Sequence, residues 1–266
     1  MQAASAHRRC GRRHFLQAPF DTIEADDLVA RLDRSEAGLP FRYVVTPNVD
    51  HVIRLGRTSS LAAAYEAAWL SVCDSKPIAA LARLMGDALP HLPGATLTEI
   101  LFRQVIRPGD RIALVVATDE IAARMREAFP ALDLTILVAP RDVGSDAAGL
   151  EACIDFVIGN AARFAFIAIG APHSERIAHR ASLDPRAKGI GLCVGASLEF
   201  LIGRKRRAPA WMQRAGLEWA YRFGSEPRRL WRRYVYGILP LAHLVLIELG
   251  RRTGPRRGLP TRPAGG

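Results

Sequence analysis

RIALVVATDEIAARMREAFPALDLTILVAP, residues 111–140, decides the fold. It reads as an apolar run rich in Ile and Val (Arg111–Ala117), a helical stretch (Asp119–Ala128) and a second apolar run (Leu132–Val138). The first run does not alternate apolar with polar residues, the pattern of a strand covered on both faces. A helix between two such strands is a crossover, and a crossover joins parallel neighbours. Working outward, the same alternation recurs. Strands are predicted at Arg42–Thr46, Leu70–Cys73, Phe164–Ile169 and Gly189–Val194. Helices are predicted at Asp50–Thr58, Ser60–Trp69, Ile78–Leu84, Thr98–Arg107, Asp146–Ala161 and His173–Ala181. The expected fold is therefore α/β, a Rossmann-like doubly wound parallel sheet with right-handed crossovers.

With 266 residues, 49% of them hydrophobic, the chain can bury a substantial core. The net charge of +11 is unevenly placed. Residues 204–266 hold 15 Lys and Arg against three acids (Glu218, Glu226, Glu248), whereas residues 1–203 hold 22 against 23. Three segments follow: a body (1–203), a basic amphipathic appendage (204–250) and a Gly/Pro/Arg-rich tail (251–266) expected to be disordered. A basic segment of this kind meets a polyanion, whether phospholipid, nucleic acid or a phosphorylated substrate. Cys10, Cys73, Cys153 and Cys193 are far apart and form no CxxC pair, which argues against a zinc site and fits a reducing cytoplasm. No apolar stretch follows the Arg-rich N-terminus, so no secretory signal is expected, and Val235–Leu249 is too short and interrupted to span a bilayer.

In a doubly wound sheet, ligands bind beyond the carboxyl ends of the strands. The first strand here runs into Thr46-Pro47-Asn48-Val49-Asp50-His51 and the second into Asp74-Ser75-Lys76. Later strands run into Gly170-Ala171-Pro172 and Gly195-Ala196-Ser197. Each of these alone fits a turn or a helix cap equally well; together they outline a nucleotide site.

This ordered set resembles the WecG–TagA–CpsF glycosyltransferases, which include N-acetylmannosaminyltransferases, from about Phe41 to Tyr234. The resemblance is carried by Gly195–Gly203 (GASLEFLIG), by Arg207–Arg222 (RAPAWMQRAGLEWAYR) and by Glu226–Tyr234 (EPRRLWRRY). Thr46-Pro47-Asn48, Asp74 and the GAPxxE motif of Gly170–Glu175 stand in the matching order. The chain departs from the pattern at Asp74-Ser75 (usually Asp-Gly), Ala117-Thr118 (a glycine pair), His173-Ser174 (Lys-Gln) and Glu199-Phe200 (Asp-Phe).

The resemblance implies an inverting transfer from a UDP-sugar to a polyprenyl-diphosphate-linked sugar in cell-surface polysaccharide synthesis. It also implies a basic appendage that docks on the inner face of the plasma membrane. Asp74 is assigned the general base, with the alternative that it caps the helix beginning near Pro77. Thr46 and Asn48 are expected to hold acceptor sugar or donor phosphate, or else only to shape a turn at Pro47. Gly170, Pro172, Glu175 and Gly195 are the expected donor-binding residues; for Glu175, compensation of a helix dipole fits as well. His51 and His173 fit surface or helix-end positions better than catalysis.

No Asp-x-Asp pair exists in the chain to hold a divalent cation on the diphosphate. Metal-independent transfer is expected, with no cofactor and with tail cations (Arg204, Lys205, Arg206, Arg207, Arg214, Arg222) meeting the leaving group. Arg207, Arg214 and Arg222 are the expected phosphate and acceptor ligands. Trp211, Ala215 and Trp219 share a helix side, and Arg228, Arg229, Arg232 and Arg233 flank Leu230, Trp231 and Tyr234. That pattern suits an anionic membrane surface; a helix packed on the body is the alternative. Nucleic acid is not an expected partner, since no recognition motif is present, and a homo-oligomer is left open. A catalytically degenerate scaffold and a nucleic-acid-binding protein are the competing functions.

Overall fold

A computed structural model describes residues 11–36, 38–56, 58–205, 207–209, 211–212, 221, 224 and 227–253, with backbone alone for 227–238 and 253. The chain opens with a hairpin, β1 (Arg12–Phe15) and β2 (Ala18–Asp21), followed by α1 (Ala25–Asp33). Then come β3 (Arg42–Val45), α2 (Val49–Leu55), α3 (Ser59–Glu66), β4 (Leu70–Ser71), α4 (Lys76–Leu84) and α5 (Gly94–Ile100), which runs into a π-helical turn at Leu101–Val105. The second half holds β5 (Arg111–Val116), α6 (Asp119–Ala128), β6 (Asp133–Val138), α7 (Ala147–Asn160), β7 (Phe164–Ile167), α8 (His173–Ser182), β8 (Ile190–Cys193) and α9 (Ser197–Leu201). A last helix, α10, covers Pro227–Thr253.

Six strands form one parallel sheet in the order β4-β3-β8-β7-β5-β6. All six are the strands that the apolar runs predict, trimmed by a residue or two at their ends. Successive side chains leave opposite faces of a strand, and the two cores follow that rule. Tyr43, Val45, Val115, Ile167 and Cys193 pack with α2, α3, α7 and α8. Val44, Leu114, Val116, Phe166 and Leu192 pack on the other side with α1, α5, α6 and α9.

The hairpin seals the short edge strand β4. Asp21 accepts from the Ser71 backbone N–H (2.7 Å) and from Arg12 (2.8 Å), while the Ser71 hydroxyl donates to the Pro19 carbonyl (2.7 Å). An edge covered in this way offers no unpaired N–H row to another chain. At the amino ends of the strands, the nearly buried Arg163 donates to the carbonyls of Ser35, Val105 and Asp33 and pairs with Asp110 at 2.6 Å.

Helix starts are set by polar caps. Asn48, Ser75, Thr118 and Asp146 each accept from a backbone N–H in the first turn of α2, α4, α6 and α7. α10 is longer than the predicted 235–249 stretch and continues through Pro240. It also passes the expected boundary at residue 250: Arg251–Thr253 are helical, which shortens the predicted tail, and residues 254–266 lie outside the described set. No helix among the described residues is long and apolar enough to cross a membrane.

Candidate active site

Because every strand of the sheet is parallel, the segments following β3, β4, β7 and β8 converge at one end. Thr46 is buried and donates its hydroxyl to the Cys193 carbonyl (3.0 Å), tying the end of β3 to the end of β8. Asn48 spends its carbonyl oxygen on the backbone N–H groups of Asp50 and His51, so its amide hydrogens are what it can offer a ligand. The Asp74 backbone N–H donates to the Pro47 carbonyl at 3.0 Å, which brings Asp74 beside the Thr46–Asn48 turn. The cap of α4 is Ser75, whose hydroxyl accepts from the Ile78 N–H; Asp74 lies one residue outside the helix, half-buried.

Gly170 and Gly195 adopt φ of +86° and +53°, a backbone region that glycine enters without a Cβ penalty. Gly94, at the start of α5, is packed between Thr46 and Ser197: a Cβ there would sit 3.2 Å from the Thr46 hydroxyl. Thr46, Asn48, Asp74, Gly94 and Gly195 thus gather on one rim, of which all but Gly94 are legible as strand-end residues.

Glu175, read from the sequence as a donor ligand or as a first-turn carboxylate compensating the helix dipole, is buried beneath the turn. Only 2% of it is exposed. The Tyr65 hydroxyl donates to its Oε1 at 3.3 Å, and Oε2 has no hydrogen-bond partner among the described residues. The Tyr65 hydroxyl also lies 2.9 Å from His51 Nδ1. His51 therefore belongs to a hydrogen-bonded chain linking α2, α3 and α8. Burial pushes the Glu175 carboxyl up to about 7, against smaller opposing effects of its backbone, Tyr65 and Arg54. His173, at the head of α8, is pushed below its usual range by burial and by Arg176 and Arg54, and its ring packs against Gly144. Burial also raises the Cys73 and Cys193 thiols, which suits inert core positions.

The Glu175 shift has a testable sign. At its ordinary value of 4.5 the unfolded chain begins to release a proton that the folded chain keeps until about 7. Stability therefore falls as pH rises through that window and levels off above it, the full penalty being up to about 3 kcal/mol. Glu175→Gln keeps the shape without the ionisation. Its stability relative to the parent, read by urea unfolding, is expected to rise between pH 5 and pH 8; an equal difference at both would contradict the buried placement.

The cations of the appendage divide. Arg204 pairs with Glu199 and Glu120, and Lys205 with Glu199 at 2.9 Å, so both are neutralised by the body rather than held for a ligand. Arg207 has no carboxylate partner among the described residues. Its two terminal nitrogens share the Thr96 hydroxyl at 3.2 Å, and its buried Nε is unpaired. Thr96 stands in the first turn of α5, two residues after Gly94, so Arg207 reaches the same rim. Arg206, Arg214, Arg222, Ala215 and Trp219 lie outside the described residues, as do the side chains of Arg228–Arg229 and Leu230–Tyr234. Trp211 is exposed. In α10, Leu244 and Glu248 are buried and Leu241 and Val245 pack on the α2 side of the core. Leu239 and Leu246, 77% and 67% exposed, point away from it. The helix thus both packs on the body and keeps an apolar outer face.

The family model described as "Glycosyl transferase WecG/TagA/CpsF family" matches residues 13–255, from β1 to the end of α10. The chain belongs to this family. Among curated relatives of this WecG/TagA/CpsF member is the N-acetylglucosaminyldiphosphoundecaprenol N-acetyl-beta-D-mannosaminyltransferase of Bacillus subtilis (strain 168), 45% identical over 69 residues. That alignment covers 26% of this chain and 26% of the relative. In the WecG/TagA/CpsF member described here, the match extends through the N-terminal hairpin as well as the strand-end motifs. Gly94, Thr96, Tyr65 and the contact of His51 with Tyr65 are site features that sequence reasoning missed. Only Gly94, following the apolar Leu89–Pro93 turn, left a trace of close packing.

Proposed function

We propose that the chain is an inverting hexosyl- or N-acetylhexosaminyltransferase, moving a sugar from a UDP-sugar to a polyprenyl-diphosphate-linked acceptor in cell-surface polysaccharide synthesis. The observation that carries this reading is Asp74: a half-buried carboxylate just beyond the end of β4, pinned beside Asn48 through Pro47 and one residue before Ser75, which caps α4. In the proposed step Asp74 takes the proton of the acceptor hydroxyl as that oxygen bonds to the sugar's anomeric carbon. The bond from that carbon to the phosphate oxygen breaks, and UDP leaves with the electron pair from the opposite face, which inverts the centre. Gly170 and Gly195 let the backbone approach the donor, Pro172 shapes the turn between β7 and α8, and Glu175 braces that turn from beneath through Tyr65. Thr46 acts by joining β3 to β8, and Asn48 offers amide hydrogens to the sugars. Arg207, with Arg214 and Arg222, meets the diphosphate charge.

Metal independence is part of the proposal. It rests on the lack of an Asp-x-Asp pair and on the arginines available for the leaving group. The exposed leucines of α10 support peripheral attachment to the inner face of the plasma membrane. The test is UDP release from a panel of UDP-sugars with a short-chain lipid-diphosphate-sugar, with and without EDTA. Release is expected with one donor and is expected to keep its full rate in EDTA. A rate that EDTA abolishes and a divalent cation restores would overturn the metal-free step. UDP binding without release would favour the scaffold, and no UDP binding would overturn the reading altogether.

A further inference from the structure

A cleft of about 740 Å³ opens along the outer side of α4, beginning two residues after Asp74. Its floor is Pro77, Ala79, Ala80, Leu89 and Pro90. The cations Lys76 and Arg83 stand around it with His91, against the single acid Glu24. His91 is held at the Asp74 end, where it bridges to Cys73 in the strand direction. From Lys76 to Arg83 the helix rises about 10 Å. Beyond Arg83 the cleft gives onto the exposed Leu84, and the next residue, Met85, accepts from Arg252 of α10 through its carbonyl. One turn before Arg252 are Leu249 and, on the same outer side, Leu246.

We infer that this cleft is the route of the acceptor's lipid leg: the diphosphate lies by Lys76 and His91, and the first isoprenoid units run over Ala79, Ala80 and Pro90 toward Leu84 and α10. The inference rests on the acceptor class proposed above and adds its path. Three features select this occupant. The cleft starts two residues along the chain from the candidate base, which must touch the sugar attached to that diphosphate. It carries the Lys76 ammonium at that end, as a diphosphate requires. Its apolar lining then offers hydrocarbon without hydrogen-bonding side chains, which a nucleotide sugar would need, and it leads toward the last turn of α10, where Arg252 reaches Met85 and the exposed Leu246 and Leu249 face outward.

The experiment uses the full chain and farnesyl diphosphate carrying a diazirine on its terminal isoprene, with adducts mapped by mass spectrometry after irradiation. Adducts are expected within residues 76–91, displaced by unlabelled farnesyl diphosphate and lost in Ala80→Trp. Ala80 is on the exposed side of α4, so the larger ring fills the cleft without entering the core. Arg83→Glu serves as a second variant. Both are expected to raise the KM for a long-chain acceptor by about tenfold, the loss of roughly two buried methylenes or one charge contact, while the KM for the donor stays as it was. Adducts elsewhere, or adducts that Ala80→Trp leaves unchanged, would overturn the route. Labelling needs neither donor nor turnover. Adducts in the cleft without UDP release would therefore count against the transfer reaction and for the lipid path, whereas UDP release with adducts elsewhere would count against the path alone.

Discussion

Replacing Asp74 by asparagine is expected to lower kcat for sugar transfer by about 10²–10⁴-fold and to leave the folded protein nearly as stable as before. The carboxamide has the same outline but cannot take the acceptor's proton. The backbone N–H bond from residue 74 to Pro47 does not involve the side chain and survives the change. The cap of α4 survives too, because it is supplied by Ser75. Losing a true N-cap costs about 0.5–2 kcal/mol. Asp74→Asn is instead expected to stay within about 0.5 kcal/mol of the parent, the range of substitutions away from caps and core. Paired measurements decide the matter: initial rates at saturating donor, and urea unfolding of the same preparations. A variant that loses stability and keeps its rate would return Asp74 to a structural role.

The same contrast tells what the sequence makes legible. Five of the six sheet strands stand out because being covered on both faces removes polar alternation, whereas the edge strand β6, half-exposed, keeps Asp133 and Thr135 in its run. The N-terminal hairpin does not stand out. Its turn, Leu16-Gln17, takes φ of 51° and 65° without glycine or asparagine, and β2 carries Pro19. What holds that turn is tertiary: Leu16 is completely buried in the core. α1 is also missing from the sequence reading, since it buries only Leu28 and Leu32, too sparse a stripe to announce a helix.

At the site, strand-end residues are legible because a parallel sheet gathers them, but their partners are not. Asn48 and Thr118 proved to cap helices, and α4 is capped by Ser75 rather than by its neighbour Asp74, a distinction that depends on which oxygen meets which N–H. Glu175 reads as a donor ligand or as a first-turn carboxylate set against the helix dipole, yet it is buried against Tyr65, which is 110 residues away in the chain. Arg204 and Lys205 read as available cations until the fold brings Glu199 and Glu120 to them. In each case long-range geometry decides between roles that local sequence leaves equal.

The largest expected effect on stability lies at the other end of β8 from the site, at Gly189→Ala. Gly189 has φ of +87°, and a Cβ added there would lie 1.9 Å from the Ala162 carbonyl oxygen and 3.0 Å from that of Arg163. Both obstacles are backbone, so no side chain can swing aside. The residue cannot shift easily either: its N–H donates to Leu39, its carbonyl accepts from Arg42, and the next N–H donates to Arg163. These bonds hold β3, β8 and β7 together where the strands begin. The positive φ alone costs about 1 kcal/mol; adding the displacement of paired backbone brings the expected loss to about 3–5 kcal/mol. Gly86→Ala separates the two contributions. Gly86 has a similar φ of +84°, but a Cβ added there would meet nothing within 4 Å, so only the conformational part should appear. Urea unfolding of both variants is expected to give losses in a ratio of at least about three to one. Equal losses would mean that the β7–β8 start is looser than described, and with it the register that delivers Gly195 and Thr46 to one rim. Because β8 runs from Gly189 straight to Cys193, whose carbonyl holds Thr46, a strand displaced at its beginning would also move the site at its end.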